Sequence, residues 1–346
     1  MQELSNIISN RNVVAITIIQ PMRPVAGHSA AVFPAIYAAE KSGDPGRYCI
    51  SKVGDGNVCV IDSVQSQAGR IEAAFQTAPY RALTRTMAVK IETKEGERTV
   101  DVLAAGHRVF DAVFRFSTLS DAITTASEAY NKGDARPMAE LSPMSLVCGA
   151  WDSRGSKLQI PRALSSEIIA RDVDVLSRGA AYRASVRASE VEGLDELGSV
   201  EGLDHALNFG VGGVVAKSIE RRVVVSLATL RRNARAGIEP NDTLNYLFAL
   251  SMVAATMPVD PDLRSGCMVL PDGVAKVELQ MIDGSTQAVE LTHDAALGYA
   301  AAAAASLGVP GLPELVGRFE PARTKPVDAK PAKAGKKDKA ATAGAA

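Results

Sequence analysis

A set of polar side chains recurs at helical spacing directly after a short apolar strand, residues 58–61. At offsets of three, four and seven positions they fall on one face of a helix: Ser63, Ser66, Gln67 and Arg70. Ser63 is a typical N-cap residue, because its hydroxyl can accept an N–H group of the first turn. Hydroxyl, amide and guanidinium groups beside a helix N-terminus suit an anion such as phosphate. A solvated helix face is the alternative interpretation.

A polar turn at residues 151–157 contains the only tryptophan of the chain. Trp151 is either a core anchor or a platform on which a base can stack. In the second interpretation Arg154 and Lys157, in the same turn, contact phosphates. Arg162 follows shortly afterwards and extends this cationic strip.

Two further candidates lie in a segment rich in Pro, Gly and Ala, residues 21–47. Arg23 and His28 come directly after the first predicted strand, where loops commonly display functional groups. The alternative for His28 is a loop histidine bonded to the backbone.

Several classes of chemistry are excluded by spacing. The four histidines show no metal-ligand pattern, and the glycines form neither a triphosphate loop nor a dinucleotide fingerprint. We therefore expect no metal and no cofactor. The four cysteines are widely spaced, which favours free thiols in a reducing cytoplasm. No signal peptide and no bilayer-length apolar run are evident, so we expect no membrane contact.

Charge is unevenly distributed in a chain whose net charge is −1. Residues 217–235 hold six Lys/Arg against one Glu, and residues 187–204 hold six acids against one Arg. The tail, residues 321–346, holds seven Lys/Arg against two Asp and too little apolar surface to order. An acidic body that binds nucleic acid must concentrate its positive charge in a groove. Aromatic residues make up only 5%, which is low for a protein that reads bases by stacking.

Strands and helices interleave with several hairpin signals, which predicts an α+β fold. A first strand is expected at residues 13–20, ended by Pro21, and an apolar helix at residues 243–256. GDGN and KEGE separate the strands of two predicted hairpins, residues 48–61 and 87–103.

Other elements are predicted from shorter patterns. Residues 107–116 are expected to form one helix whose exposed stripe contains Arg108, Asp111 and Arg115. A strand over 142–150, a helix from Pro161, a hairpin over 267–281 and a helix capped by the pair His293 and Asp294 complete the expected elements.

Four ordered blocks of the chain resemble one known family. They contain the words RPVAGHSAAVFPAIY, DSVQSQAGRIE, HRVFDAVFR and SPMSLVCGAWDSRGSKLQIPRALSSEIIARDV. The family is the CRISPR-associated RAMP backbone subunit of the type I-U (also called I-G) surveillance complex. The resemblance extends over roughly residues 11–175, and the remainder agrees only in size and order.

The resemblance implies a modified RNA-recognition, ferredoxin-like palm with a finger-like insertion and a thumb-like hairpin. Residues 1–320 would form one globular domain with an acidic loop at 187–204, followed by a disordered basic tail. The implied function, in antiviral defence, is not enzymatic: several copies polymerise along a guide RNA and present it to target DNA, beside other subunits of the complex. The RNA contacts are then placed at Gln65, Gln67 and Arg70, with Arg23 and His28 near the adjoining loop.

Two alternatives stay open. Related RAMP subunits cut RNA with a loop aspartate, and Asp44 lies in such a loop, so a RAMP-type endoribonuclease is the second function. A soluble metabolic α/β protein is the third, and it would leave the four blocks a coincidence.

Overall fold

The computed structural model describes residues 2–37, 47–182, 206–237, 239–258 and 260–324. The predicted acidic loop at 187–204, Asp44 and most of the predicted tail lie outside these described residues. Side-chain positions are described for the long strands only up to residue 177 and again from residue 212.

The strands run in chain order as follows: β1 (Val13–Pro24), β2 (Ile36–Tyr37), β3 (Arg47–Tyr48), β4 (Ile50–Val53), β5 (Gly56–Asp62), β6 (Met87–Thr93), β7 (Gly96–Asp101), β8 (Ala150–Trp151), β9 (Gln159–Ile160), β10 (Leu164–Tyr182), β11 (Ala206–Ser226), β12 (Asp262–Arg264), β13 (Cys267–Pro271), β14 (Lys276–Met281), β15 (Thr286–Ala288) and β16 (Leu315–Arg318). The helices are α1 (Gln2–Ser9), α2 (Val64–Ala74), α3 (Ala112–Arg115), α4 (Ser120–Asn131), α5 (Arg136–Leu141), α6 (Pro143–Val147), α7 (Leu227–Asn233), α8 (Asp242–Thr256) and α9 (His293–Leu307). The predicted α+β class is confirmed.

The centre of the large sheet is a four-stranded palm. Its strands lie side by side in the order β14, β1, β11, β10, and every adjacent pair is antiparallel. Along the chain these strands alternate with α2 and α8 as strand, helix, strand, strand, helix, strand. This connectivity is the ferredoxin-like arrangement that was predicted.

Two additions depart from a minimal palm. Residues 75–163, between α2 and β10, carry the β6–β7 hairpin and helices α3 to α6. The hairpin of β10 and β11 is the second addition. It continues beyond β1, which pairs with β11 only from Ala15 to Met22.

Pro21 does not end β1, contrary to the sequence prediction. On one edge β1 pairs continuously with β11, including Pro21 opposite Glu220. On the other edge its partner changes: β14 pairs as far as Ile19, and β13 begins at Met22. Pro21 thus occupies the gap between two partner strands, where a missing N–H group breaks no ladder. Because β13 and β14 both pair with β1, the predicted hairpin between them is wrong.

Helix α8 forms the centre of the main hydrophobic core. Nearly all of its side chains are buried, which is typical of a helix enclosed on every side. It packs on β11 and on α5, α6, α7 and α9. Its N-cap is Asn241, whose side chain accepts from Leu244 N at 2.7 Å.

Three predicted elements within the insertion and after it are wrong. Residues 107–116 divide at Asp111, whose side chain caps α3 and ends the preceding 3₁₀ turn. Residues 143–147 form α6 and not a strand, because Pro143 occupies a first-turn position where its missing N–H is tolerated. The segment after Pro161 is β10, since its residues pair with β5 on one side and β11 on the other.

The cap of α9 is also corrected. Thr292, and not the pair His293 and Asp294, accepts from Ala295 N at 3.2 Å. By contrast Ser63 caps α2 as predicted, accepting from Ser66 N at 3.3 Å.

A fully buried carboxylate joins the elements around the end of β5. Asp62 accepts from Ser66 Oγ at 2.8 Å, from Gln67 Nε2 at 2.7 Å, from Arg70 Nε at 3.2 Å and from Arg264 Nη2 at 2.6 Å. The two arginines also donate to the backbone of the same region, Arg70 to Leu263 O and Arg264 to Ile61 O. These bonds tie β5, α2 and β12 together. We call this set of residues the Asp62 junction.

We expect Asp62→Asn to lower the free energy of unfolding by about 2 kcal/mol. The substitution leaves two guanidinium groups without their negative partner, and both are about one quarter exposed, which moderates the loss. Urea unfolding measures the effect. The control is Asp55→Asn in the exposed β4–β5 turn, where we expect a change within about 0.5 kcal/mol. Equal stability of the two variants would contradict the role given to Asp62.

Candidate nucleic-acid interface

A groove of about 850 Å³ brings together three residues that the sequence had placed in separate motifs. Gln65 lies in the first turn of α2, Trp151 in β8, and Arg162 just before β10. The other groove residues belong to the turn before α3 and to the β8–β9 region: Gly106, His107, Arg108, Cys148, Gly149, Ala150, Gln159, Ile160 and Pro161.

Arg162 links two walls of the groove. Its Nη2 donates to Gln65 Oε1 at 3.1 Å and its Nε donates to Cys148 O at 3.1 Å. These two bonds hold the guanidinium in place, so its remaining N–H groups are donors with a fixed orientation. In the described part of the chain no carboxylate lies within 4.0 Å of it.

Trp151 is not a core anchor. Its side chain is 60% exposed, which is unusual for the largest apolar residue type. A ring exposed at the edge of a groove, beside a fixed guanidinium, has the geometry of a stacking platform. The exposure excludes the core-anchor interpretation, and the stacking platform stays a prediction.

The turn that follows Trp151 is organised by Asp152. Its carboxylate accepts from Gly155 N at 2.8 Å, from Ser156 N at 2.6 Å and from Ser156 Oγ at 2.9 Å, and it pairs with Arg115. Burial alone would raise the pKa of Asp152, but these hydrogen bonds hold it below its ordinary value. The predicted helical stripe containing Arg115 is thus wrong, since Arg115 turns to this carboxylate.

The same turn presents two exposed cations. Arg154 has no ionic partner among the described residues, and Lys157 donates only to Ser153 O. Both side chains are exposed on the rim beside Trp151. Their positive charges are not neutralised by a carboxylate of the described residues, and the predicted contact with phosphate groups stays a prediction.

Behind the groove lies an ion pair that sequence reasoning missed. Arg108 Nε and Nη2 donate to the two oxygens of Glu72 at 2.6 and 2.9 Å, and both side chains are buried. Burial raises the pKa of Glu72, and Arg108 opposes that effect. Arg108 Nη1 also donates to Gly149 O at 2.9 Å, so Arg108 links α2 to the residue that precedes β8. The sequence placed Arg108 on an exposed helical stripe and contained no sign that its side chain is buried.

At Gly149 two backbone segments approach each other so closely that only glycine fits. Its φ is +82°, and a Cβ there would lie 3.0 Å from Arg162 N and 3.1 Å from Ile160 O. The backbones on either side of the groove can therefore approach each other only with glycine at this position.

Gln67 and Arg70 are committed to the Asp62 junction. Gln67 is only 3% exposed, so the predicted solvent-facing position of this residue is wrong. Its Oε1 accepts from Ser166 Oγ at 3.0 Å, while its Nε2 is held by Asp62. Arg70 is partly exposed but donates to Asp62 and to Leu263 O. The physical reason is the unforeseen burial of Asp62, which attracts the polar groups of the α2 face.

Arg23 and His28 lie at a different place, beside the loop between β13 and β14. Arg23 Nε and His28 Nδ1 are each 3.8 Å from a carboxylate oxygen of Asp272. His28 is 74% exposed. Neither residue lines the groove with Trp151.

The basic stretch at residues 217–235 does not form one groove. Arg231 donates to Val13 O, Ile8 O and Asn10 O, which fixes α1 to β1. Arg235 stacks over the Tyr130 ring, 4.2 Å from its centroid. These cations serve the packing of the fold and lie apart from one another.

The described residues contain neither a metal-binding cluster nor a membrane-spanning helix. Within them no group of three or more His, Cys, Asp or Glu could hold a metal ion. No helix in that part of the chain is long and apolar enough to cross a membrane.

Fold and groove together define a ferredoxin-like α+β protein with a tryptophan- and arginine-lined groove. Residues 16–175 match the family of CRISPR-associated protein GSU0053, which confirms the predicted relationship to a CRISPR-associated family. A solved chain from a structure titled "CRISPR RNA-guided surveillance complex, pre-nicking" is distantly similar, with 15% identity and a TM-score of 0.38. That alignment covers 78% of this chain and 76% of the other. No curated protein matches.

Acid should release the Trp151 turn only below the ordinary pKa of an aspartate, about 3.9. Because the pKa of Asp152 is lowered in the folded protein, its bonds persist above that value and are lost as the pH falls through the lower, folded-state pKa. Trp151 is the only tryptophan, so its fluorescence reports this event directly. We expect constant emission down to about pH 4 and a shift below it.

The Asp152→Asn variant should show the shifted emission already at pH 7, with little further change in acid. Asp283→Asn is the matched control, since Asp283 has a lowered pKa but lies in the β14–β15 turn. Circular dichroism at each pH separates a local change from unfolding. A transition of Trp151 emission well above pH 4 would show that Asp152 does not hold the turn.

Proposed function

We propose that this protein is a guide-RNA-binding backbone subunit of a type I CRISPR surveillance complex. The observation on which this depends is the convergence of Gln65, Trp151 and Arg162 in one groove. All three lie inside the segment that matches the CRISPR-associated family. Four sequence blocks that resemble the type I-U/I-G backbone subunit also fall in or around this segment.

The groove supplies the contacts that single-stranded RNA requires. A base can stack on the exposed Trp151 ring, which tolerates any base because every base has a π-face. Arg162 and Gln65 offer fixed hydrogen-bond donors beside it. Arg154 and Lys157 can bind phosphates on the rim. One tryptophan and few free cations suit contacts to the sugar-phosphate backbone and to a single base of the RNA strand. The other bases of that strand then stay free for pairing.

The proposed partners follow from this role. Guide RNA binds directly, target DNA is reached through the guide, and neighbouring copies share the strand with other subunits of the complex in the cytoplasm. The net charge of −1 gives one copy little general attraction to RNA. Copies that contact both the strand and each other gain from effective concentration. Polymerisation into a helical filament is therefore the expected mode of binding.

We propose no catalytic step. The alternative, a RAMP endoribonuclease acting through Asp44, concerns a residue outside the described part of the chain. No contact of the described residues favours it. Cleavage of a bound RNA by the purified protein, lost in Asp44→Asn, would replace the present proposal by that one.

Trp151→Ala should weaken binding of single-stranded RNA by roughly 5- to 100-fold, the range expected for loss of one base–aromatic stack. Trp151→Phe retains a ring and should recover most of the affinity. Fluorescence anisotropy with a labelled RNA measures the change. Val274→Ala is the control, since Val274 is an apolar side chain even more exposed than Trp151 and lies in the β13–β14 loop. Equal affinity of wild type and Trp151→Ala would remove Trp151 from the interface.

The protein purified from cells that supply guide RNA should carry a small RNA of discrete length. Binding to a long single strand should be cooperative, and an oligonucleotide that seats one copy should bind poorly. Anisotropy titrations with RNAs of increasing length measure both properties. The same affinity per site on long and short RNA would show that the protein does not polymerise on the strand.

A further inference from the structure

A buried arginine on the helix-covered face of the palm lacks a counter-ion. Arg221 in β11 is 6% exposed. Its Nε donates to Ser166 Oγ at 3.0 Å and its Nη1 to Met257 O at 3.4 Å. Both acceptors are neutral, and no carboxylate of the described residues lies within 4.0 Å of the guanidinium. Buried charges in folded proteins are ordinarily paired, so this one requires explanation.

The neighbouring charges do not compensate it. Ser166 links Arg221 to Gln67, and Gln67 links it to Asp62. Asp62, however, already faces Arg70 and Arg264. Within this connected network of described residues Asp62 is the only carboxylate, and it pairs with Arg70 and Arg264 but reaches Arg221 only through Gln67 and Ser166. Arg70 and Arg264 are partly exposed, so Arg221 is the buried guanidinium of this network that lacks a carboxylate partner among the described residues.

Arg221 forms part of the wall of a small pocket of about 180 Å³. The pocket lies between the palm and the ends of two helices. Its other walls come from β1, β13, β14, the end of α8 and the start of α9, and their polar side chains are Gln20, Thr256 and His293 among mainly apolar ones. Ligand pockets for drug-sized molecules are about 300–1,000 Å³, so this one suits an ion with its waters.

The start of α9 adds a favourable field. This helix has 15 residues and begins at His293, a wall residue of the pocket, so its positive dipole end is at that wall. His293 itself is occupied, because Nδ1 lies 3.1 Å from Thr256 Oγ1 and Nε2 lies 2.9 Å from Tyr80 OH. Asp294 opposes an anion at this helix end, but it is exposed to solvent and does not line the pocket.

We propose that this pocket binds a single phosphate-sized oxyanion, with the Nη2 group of Arg221 as its principal donor. Nη2 has no acceptor among the described residues, whereas Nε and Nη1 are used by the protein. The ligand is either free inorganic phosphate or one phosphodiester group of a bound nucleic acid, which share the same chemistry. The proposal does not depend on RNA binding in the Trp151 groove, because the two sites have no wall residue in common.

Thermal unfolding in sodium phosphate and in sodium chloride of equal ionic strength tests the proposal. A ligand that binds only the folded protein raises Tm, and at a hundredfold excess over Kd we expect a rise of about 3–6 °C for the wild type. Arg221→Met should abolish that rise. In phosphate-free buffer the same variant should be at least as stable as the wild type, because it removes an uncompensated buried cation. Isothermal titration with inorganic phosphate provides the Kd.

Arg222→Met is the matched control. Arg222 is the next residue of β11, points to the other face and pairs with Glu220 at 2.7 Å. It should retain the full rise. If Arg221→Met does not fold, Arg221→Lys is decisive, because it keeps the charge but loses the planar fork, and phosphate should bind it several-fold more weakly.

A competition experiment identifies the source of the anion. If single-stranded RNA displaces phosphate from the wild type and binds Arg221→Met less tightly, the ligand is a phosphodiester. If RNA and phosphate bind together, the ligand is the free ion. The proposal is overturned if phosphate stabilises the wild type no more than chloride does, or if the Arg221 variants keep the wild-type response.

Discussion

The buried carboxylate of Asp62 is the interaction on which the rest of the architecture depends. It lies at the point where β5 ends and α2 begins, and it receives donors from α2 and from β12. Through Gln67 and Ser166 the same hydrogen bonds continue across β10 to Arg221 in β11. A carboxylate fully removed from water is tolerated only with such a set of donors. Once present, it fixes the angle at which α2 leaves the sheet, and with it the position of Gln65 in the groove.

Local signals in the sequence were sufficient where a short segment decides its own structure. The Ser63 cap, the apolar helix α8 and the two tight hairpins before residue 103 depend on neighbouring residues, and all are present. Predictions failed where a distant partner decides the outcome. Pro21 is accommodated only because β13 and β14 share one edge of β1. The segment after Pro161 is a strand because it pairs with β5 on one side and β11 on the other. The residues of the segment itself do not indicate that these two partners are present.

The candidate site shows the same division between residue type and residue role. Gln65, Trp151 and Arg162 were chosen from separate motifs of the sequence, and the structure places them in one groove. Helical periodicity also grouped Gln67 and Arg70 on a polar face, but periodicity does not distinguish water from a buried acid as the partner of that face. The Glu72–Arg108 pair was missed for the same reason, since two charges 36 positions apart carry no local sign that they will meet.

The attraction of the groove for an anionic ligand depends on which cations lack a carboxylate partner, and not on the net charge of the chain. Four arginines each pair with a carboxylate that is buried in the fold, so they contribute little attraction to a ligand. They are Arg70, Arg108, Arg115 and Arg264. What remains near the groove is Arg154, Lys157 and Arg162. If the groove binds a nucleic-acid strand as proposed, so few free cations predict weak binding by one copy and stronger binding by several copies on the same strand. Under the same proposal, low intrinsic affinity would limit binding to unrelated RNA, because a single copy on such a strand has no neighbouring copy to stabilise it.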